Sequence, residues 1–194
     1  KKTNRKSKKR NSHQLDLFPK ANVAYVFGGA STLGKRKVAR TILPNKWIHL
    51  CLKSKKAVGV LSLLHPRVRE KIESRIRQKA KRFFVELNSA VNMGNHFHLK
   101  IRVIRKDDFI KFLKSITGLI ARIVTGAKKG VKFGKFWDAI AYTRVLMSSF
   151  EELSLRGYFN ANRTEREKGY QARKDYLDQF NKWLYGLKKS TSTA

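Results

Sequence analysis

The chain contains a single cysteine, Cys51, which excludes an internal disulfide and any zinc cage built from several thiolates. Acids are scarce: 13 Asp and Glu stand against 45 Lys and Arg in 194 residues, a formal charge of +32 at pH 7. A field of that size opposes compaction by self-repulsion, and a polyanion that screens it is the economical explanation. Long apolar runs are also missing. None approaches the roughly 20 residues of a membrane span, and no apolar run with a cleavage site follows the basic start, so no secretory signal is expected. What remains is a 41 % hydrophobic chain with 12 Phe and 3 Trp, enough for a true core rather than a disordered cation. The composition implies a soluble, intracellular, one-domain protein whose partner is nucleic acid rather than lipid.

The charge is uneven. Residues 1–46 hold 13 Lys and Arg and one acid, Asp16, a net +12 with few apolar residues. The stretch 1–45 therefore reads as a basic, conditionally ordered arm. A globular pattern follows. Trp47 to Leu52 is strand-like, and Pro66 opens a helix with Val68, Ile72, Ile76 and Ala80 at i+4 spacing. Phe83 to Val91 and His96 to Ile104 read as strands joined by a tight turn, Asn92-Met93-Gly94-Asn95. Asp107 and Asp108 cap a long helix carrying Phe109, Phe112, Leu113, Ile116, Ile120 and Ile123 and stopping at Gly126. Ala139 to Met147 is a fourth strand, and Ser148-Ser149 before Glu151-Glu152 makes a capping box for a third helix to about Asn162. A last amphipathic helix, about 168–187, shows Tyr170, Leu177, Phe180, Leu184 and Leu187 on one stripe. The order βαββαβ predicts an α+β, ferredoxin-like fold: a four-stranded antiparallel sheet with two helices on one face, then two further helices. The boundaries expected are an arm over 1–45, a domain over 46–165, and a C-terminal helix and tail over 166–194.

The segment His96-Phe97-His98-Leu99-Lys100-Ile101-Arg102-Val103 alternates strictly. Period two places His96, His98, Lys100 and Arg102 on one face and the apolar residues on the other. Two imidazoles at i,i+2 can converge on one divalent ion, or can stand solvated beside a phosphate. On the third helix, Tyr158 and Asn162 are i,i+4 neighbours. A phenol one turn from a carboxamide suits metal-assisted attack on a phosphate, with Asn162 as a third ligand. Gly157 beside the tyrosine costs roughly 1 kcal/mol of helix propensity against Ala, which close approach of a nucleic-acid backbone would explain. Glu165, seven residues after Tyr158 and on the same side of the helix, could reach the ion or act as a base, but reads first as an exposed acid.

Asn95-His96-Phe97-His98-Leu99 resembles the HUH signature (His, hydrophobic, His), and Tyr158-Phe159-Asn160-Ala161-Asn162 resembles the Tyr-x-x-x-Asn helix of single-tyrosine transposases. Phe136-Trp137 and Arg156-Gly157-Tyr158-Phe159 are similar to the REP-associated tyrosine transposases in particular. The resemblance covers about residues 46–165. It implies Mg²⁺ or Mn²⁺ held by His96, His98 and Asn162, and attack by Tyr158 on single-stranded, hairpin-bearing DNA. That attack gives a 5′-phosphotyrosine and a free 3′-hydroxyl. Two histidines also suit Zn²⁺, so the residues alone leave the metal open. A nucleic-acid-binding module without catalysis and a nuclease using water are the other readings of the same residues. The implied setting is the bacterial cytoplasm, at the nucleoid, as monomer or homodimer.

Cations expected to hold DNA are Lys35, Arg36, Lys37 and Arg40 in the arm, Lys100 and Arg102 on the His strand, and Lys128, Lys129, Lys132 and Lys135 after the second helix. Lys111, Lys114 and Arg122 extend that last group into a basic band, with Phe133 or Trp137 able to stack on bases. Gln14-Leu15-Asp16-Leu17-Phe18 resembles the short peptide by which bacterial proteins dock on the replicative sliding clamp. There Gln14 would bond the rim, and Leu15, Leu17 and Phe18 would supply apolar anchors. His49 and Cys51 are read as ordinary residues of a half-buried strand.

Overall fold

Alternation of apolar and polar residues and a run of β-branched and aromatic side chains set a central sheet, and two amphipathic helices cover it. The computed structural model describes residues 25–29, 39–128 and 133–191, with side chains as far as 186. The elements are β1 (Val26–Phe27), β2 (Trp47–Lys53), α1 (Pro66–Arg82), β3 (Glu86–Asn92), β4 (His96–Arg102), α2 (Lys106–Thr125), β5 (Tyr142–Val145), α3 (Ser149–Lys168) and α4 (Tyr170–Thr191). The strands form one antiparallel sheet in the order β1-β5-β2-β4-β3. Without β1 this is the split βαβ order expected of a ferredoxin-like fold.

The sheet has five strands, not four. Val26 and Phe27 pair with Arg144 and Thr143 of β5, and Tyr25, Ile42 and Leu43 pack on the core. These residues lie within the stretch expected as an arm. Two residues are too few for a period to show, so β1 is invisible in the sequence. Gly28 explains itself in the structure: at φ +82° its Cβ would sit 2.1 Å from the carbonyl oxygen of Ala141, which no L side chain tolerates. The Leu17 and Phe18 anchors, with Gln14, Leu15, Lys35, Arg36, Lys37, Lys129 and Lys132, lie outside the described residues.

One face of the sheet carries the main core. Phe97, Leu99 and Ile101 of β4, with Val103 just after it, meet Ile72 and Ile76 of α1 and Phe109, Phe112, Ile116 and Ile120 of α2, all almost fully buried. Each such side chain contributes about 1.5–3 kcal/mol on burial. Pro66 stands at the first position of α1, where its missing N–H costs nothing, and His65 caps it by accepting from the Arg67 N–H. Asp107 and Asp108 do not cap α2: the N-cap is Arg105, and the two acids sit in the first turn, where the helix dipole favours them. Among the described residues no helix is long and apolar enough to cross a membrane.

The other face is covered as well, by α3. Ser148 caps it, its hydroxyl accepting from the Glu151 N–H, as the capping box predicts. The helix continues unbroken through 165 to Lys168. Leu155 and Phe159 form a small second cluster with Val91 and Leu146. Gly157, beside Tyr158, faces α4. A Cβ on Gly157 would meet Phe180 at 2.1 Å, so this glycine makes room for an aromatic ring and not for nucleic acid. Phe180 is itself stacked on Tyr176 and packed against Trp183. Gly157→Ala is therefore expected to destabilise: about 1 kcal/mol gained in helix propensity is outweighed by about 1–3 kcal/mol of overpacking. A lower thermal midpoint would show it. A higher one would mean the Phe180 ring swings aside freely. Tyr170, placed on the α4 stripe by its spacing, is largely exposed.

Candidate functional site

β4 begins at a built turn. The Asn92 side chain accepts from the Gly94 N–H and donates to the Leu63 carbonyl, and Gly94 takes φ +85°. His96 follows at once, its Nδ1 2.5 Å from Asn95 Oδ1. His98, two residues on, lies under α3 at 4 % exposure. The two rings are 4.7 Å apart between centroids and almost perpendicular. Tyr158 of α3 places its ring 5.3 Å from that of His98. Asn162, one helical turn on, is buried and is a hydrogen-bond partner of the phenol. The structure thus brings together all four residues singled out by spacing.

It adds residues that spacing did not reveal. His49, on the neighbouring central strand, meets His98 through a 3.0 Å contact between its Nε2 and His98 Nδ1. Tyr142 of β5 reaches His49 with rings 5.7 Å apart. Arg173 of α4 lies over the Tyr158 ring at 5.9 Å and bonds Glu165 at 2.6 Å. Glu165 is therefore a partly buried, paired carboxylate at the rim of the site, not the exposed acid its position suggested. The signal that could have found His49 is its alternation with Cys51 on a strand that must neighbour β4 in this topology. Nothing local marks Arg173.

Burial dominates the ionisation here. It lowers the His49 pKa to about 3, helped by the charge of Arg144. Burial also holds His98 well below its usual range, with His49, His96 and Arg173 adding to the effect. His96 is lowered by burial and Lys53, against a smaller opposing pull from Glu165. Burial raises Tyr158, while the Asn162 bond and Arg173 pull it back. Burial pushes the Cys51 thiol up to about 12. Burial thus favours the neutral form of all three imidazoles. Because the unfolded chain takes up protons near pH 6.5 and folded His49 does so only at about 3, its contribution to stability is full above pH 6.5 and is lost as pH drops toward 3, with His96 and His98 acting in the same direction. Each such histidine contributes a slope of up to about 1.4 kcal/mol per pH unit. Denaturant unfolding across that window should show it, and His49→Gln should flatten the slope by about one proton.

A divalent cation fits this arrangement. His98 Nε2 is buried with no hydrogen-bond partner, an expense that native structures rarely carry without a ligand. Of the two ways to place the shared proton, donation from His98 Nδ1–H to His49 Nε2 leaves the lone pair on that orphaned nitrogen. Among the described residues no three His, Cys, Asp or Glu side chains gather to hold an ion. The residues that could hold one are the two imidazoles of His96 and His98, with the Asn162 side chain, buried beside Tyr158, as a candidate oxygen donor. The expected DNA-holding cations divide. Arg40 bonds Thr143 and lies on Phe27, Lys100 pairs with Glu152 over the Trp47 ring, and Arg102 pairs with Glu86. Lys128 and Lys135 are exposed.

No protein-family model matches the chain, and no curated protein matches it. Among solved structures it is similar to the 1.90 Å crystal structure of a protein from Deinococcus radiodurans R1 described as a “putative transposase”. The TM-score is 0.40 and the identity 18 %, over 66 % of this chain and 98 % of that one.

Proposed function

We propose that this chain is a metal-dependent DNA strand transferase of the HUH single-tyrosine kind, similar to REP-associated tyrosine transposases, acting on single-stranded, hairpin-bearing DNA. The observation that carries the reading is the orphaned, buried His98 Nε2 beside a phenol that has an amide one turn away. A field of +32 supplies non-specific hold on the phosphate backbone.

His96, His98 and Asn162 would hold Mg²⁺ or Mn²⁺, which when bound supplies charge stabilisation at the scissile phosphate. Tyr158 Oη attacks phosphorus. The P–Oη bond forms as the P–O3′ bond breaks, the phenol proton is lost to solvent, and the departing 3′-oxygen leaves as a hydroxyl after gaining a proton. The phenol is protonated at neutral pH and its pKa is raised further by burial, so its activation is a real demand on the site. The guanidinium of Arg173 over the ring favours the phenolate. The link conserves the phosphodiester energy, so a 3′-hydroxyl can attack it to rejoin the strand. A sliding-clamp contact through Gln14, Leu15, Leu17 and Phe18 belongs to the same reading.

The test is incubation with end-labelled single-stranded hairpin DNA and Mn²⁺, followed by a denaturing gel. A protein-linked product carrying the fragment 3′ to the cut, lost on chelation, is expected. Cleavage without a protein-linked product would favour water as the nucleophile. Binding without cleavage of any strand would favour a non-catalytic module.

A further inference from the structure

β3 is an edge strand, and its exposed side opens onto a groove of about 600 Å³. α1 supplies Arg69, Arg77 and Lys81 to one wall, and α3 supplies Arg163 and Arg166 to the other. Glu73 is the one acid in the lining, and Arg69 pairs with it at 3.5 Å. Arg163 is fixed by neutral partners, Ser89 Oγ at 2.7 Å and Asn160 Oδ1 at 2.9 Å. Among the described residues no carboxylate pairs with it. A guanidinium held rigid and unneutralised is a ready phosphate partner.

The groove has a direction. At one end Asn92 pairs across to Phe97, next to His96, and its carbonyl accepts from Arg166 at 3.4 Å. Arg166 lies eight residues beyond Tyr158 on the same helix, about 12 Å along its axis. The other end is about 20 Å away along the strand, where Lys81 and Val85 close the lining. Phe84, next to Val85 in the chain and 80 % exposed, stands outside the lining at that end. Its φ is +51°, a left-handed conformation unfavourable for a bulky side chain. An exposed ring held by a strained backbone earns nothing for folding, and such strain collects at functional positions.

We propose that the β3-edge groove is the track on which single-stranded DNA lies as it runs to the Tyr158 centre, with its arginines on phosphates and Phe84 stacked on a base at the far end. The choice of DNA as the polyanion rests on the strand-transferase reading. The groove spans both faces of the sheet at its edge, so it can guide a strand past β3 to the His96 end.

Binding of the full-length protein to a fluorescent single-stranded oligonucleotide carrying one 2-aminopurine, in EDTA, tests this apart from cleavage. Arg77→Gln with Lys81→Gln should weaken binding and lessen the salt slope by about 1.4, two phosphates at about 0.7 each. Lys111→Gln with Lys114→Gln, on the rival α2 band, should cost less. Phe84→Asn tolerates the left-handed backbone, so the thermal midpoint should hold or rise while affinity falls about fivefold or more and the 2-aminopurine stacking signal is lost. Equal or larger losses from the α2 pair, or wild-type binding by Phe84→Asn, would overturn the proposal. Intact groove effects in a protein that never cuts DNA would refute the chemistry and keep the track.

Discussion

Tyr158→Phe is expected to abolish the covalent protein–DNA product, lowering strand cleavage roughly 10³-fold or more, while metal and DNA binding persist. The change removes one oxygen and keeps the ring that packs beside His98 and Phe159. The stability cost is the Asn162 hydrogen bond, about 1 kcal/mol, so a folded protein remains to be assayed. The second phenol provides the control. Tyr142 touches His49, and its pKa too is raised by burial, but it sits on β5, and the Asn162 hydrogen bond goes to Tyr158. Tyr142→Phe should form the covalent product normally. Denaturing gels of the two variants beside the parent decide the matter, and a product that survives in Tyr158→Phe sinks the assignment of the nucleophile.

The second large effect is expected at a residue that is no ligand. His49→Phe should lower Mn²⁺ affinity about 10- to 100-fold, the range seen when the partner that orients a metal-binding histidine is removed. The cause is the 3.0 Å bond to His98 Nδ1, which keeps the proton on that side of the ring and turns the other nitrogen toward the ion. Glutamine can place an acceptor oxygen where the His49 Nε2 stands, so His49→Gln should retain most of the affinity. Titration calorimetry measures the affinity, and nitrogen NMR of the His98 ring reads the tautomer directly. Equal affinity in the Phe variant would show that His98 needs no orienting partner.

These expectations rest unevenly on what the sequence discloses. The His96–His98 pair is local: period two on one strand places both rings on one face, and the apolar partners Phe97, Leu99, Ile101 and Val103 pack as that pattern requires. Tyr158 and Asn162 follow from helical spacing in the same way. His49 is legible only once the topology is in hand, because its partnership depends on β2 lying beside β4 in register, Cys51 opposite His98 and His49 opposite Lys100. Arg173 depends on α4 folding back on α3, a packing that Gly157 permits by leaving room for Phe180. The same distance effect explains Lys100 and Arg102: their alternation is plain in the chain, but Glu152 and Glu86, which pair with them, come from elements whose placement only the fold decides.

The central position of β2 and β4 has one more result. Their amides are bonded on both sides, so they should be the last to exchange with solvent deuterium, whereas α4, packed chiefly on α3, should exchange early. The imidazoles are thus mounted on the slowest-exchanging part of the molecule, and the guanidinium above the phenol on one of the fastest. Partial opening would strip Arg173 from the phenol and leave the histidine floor intact.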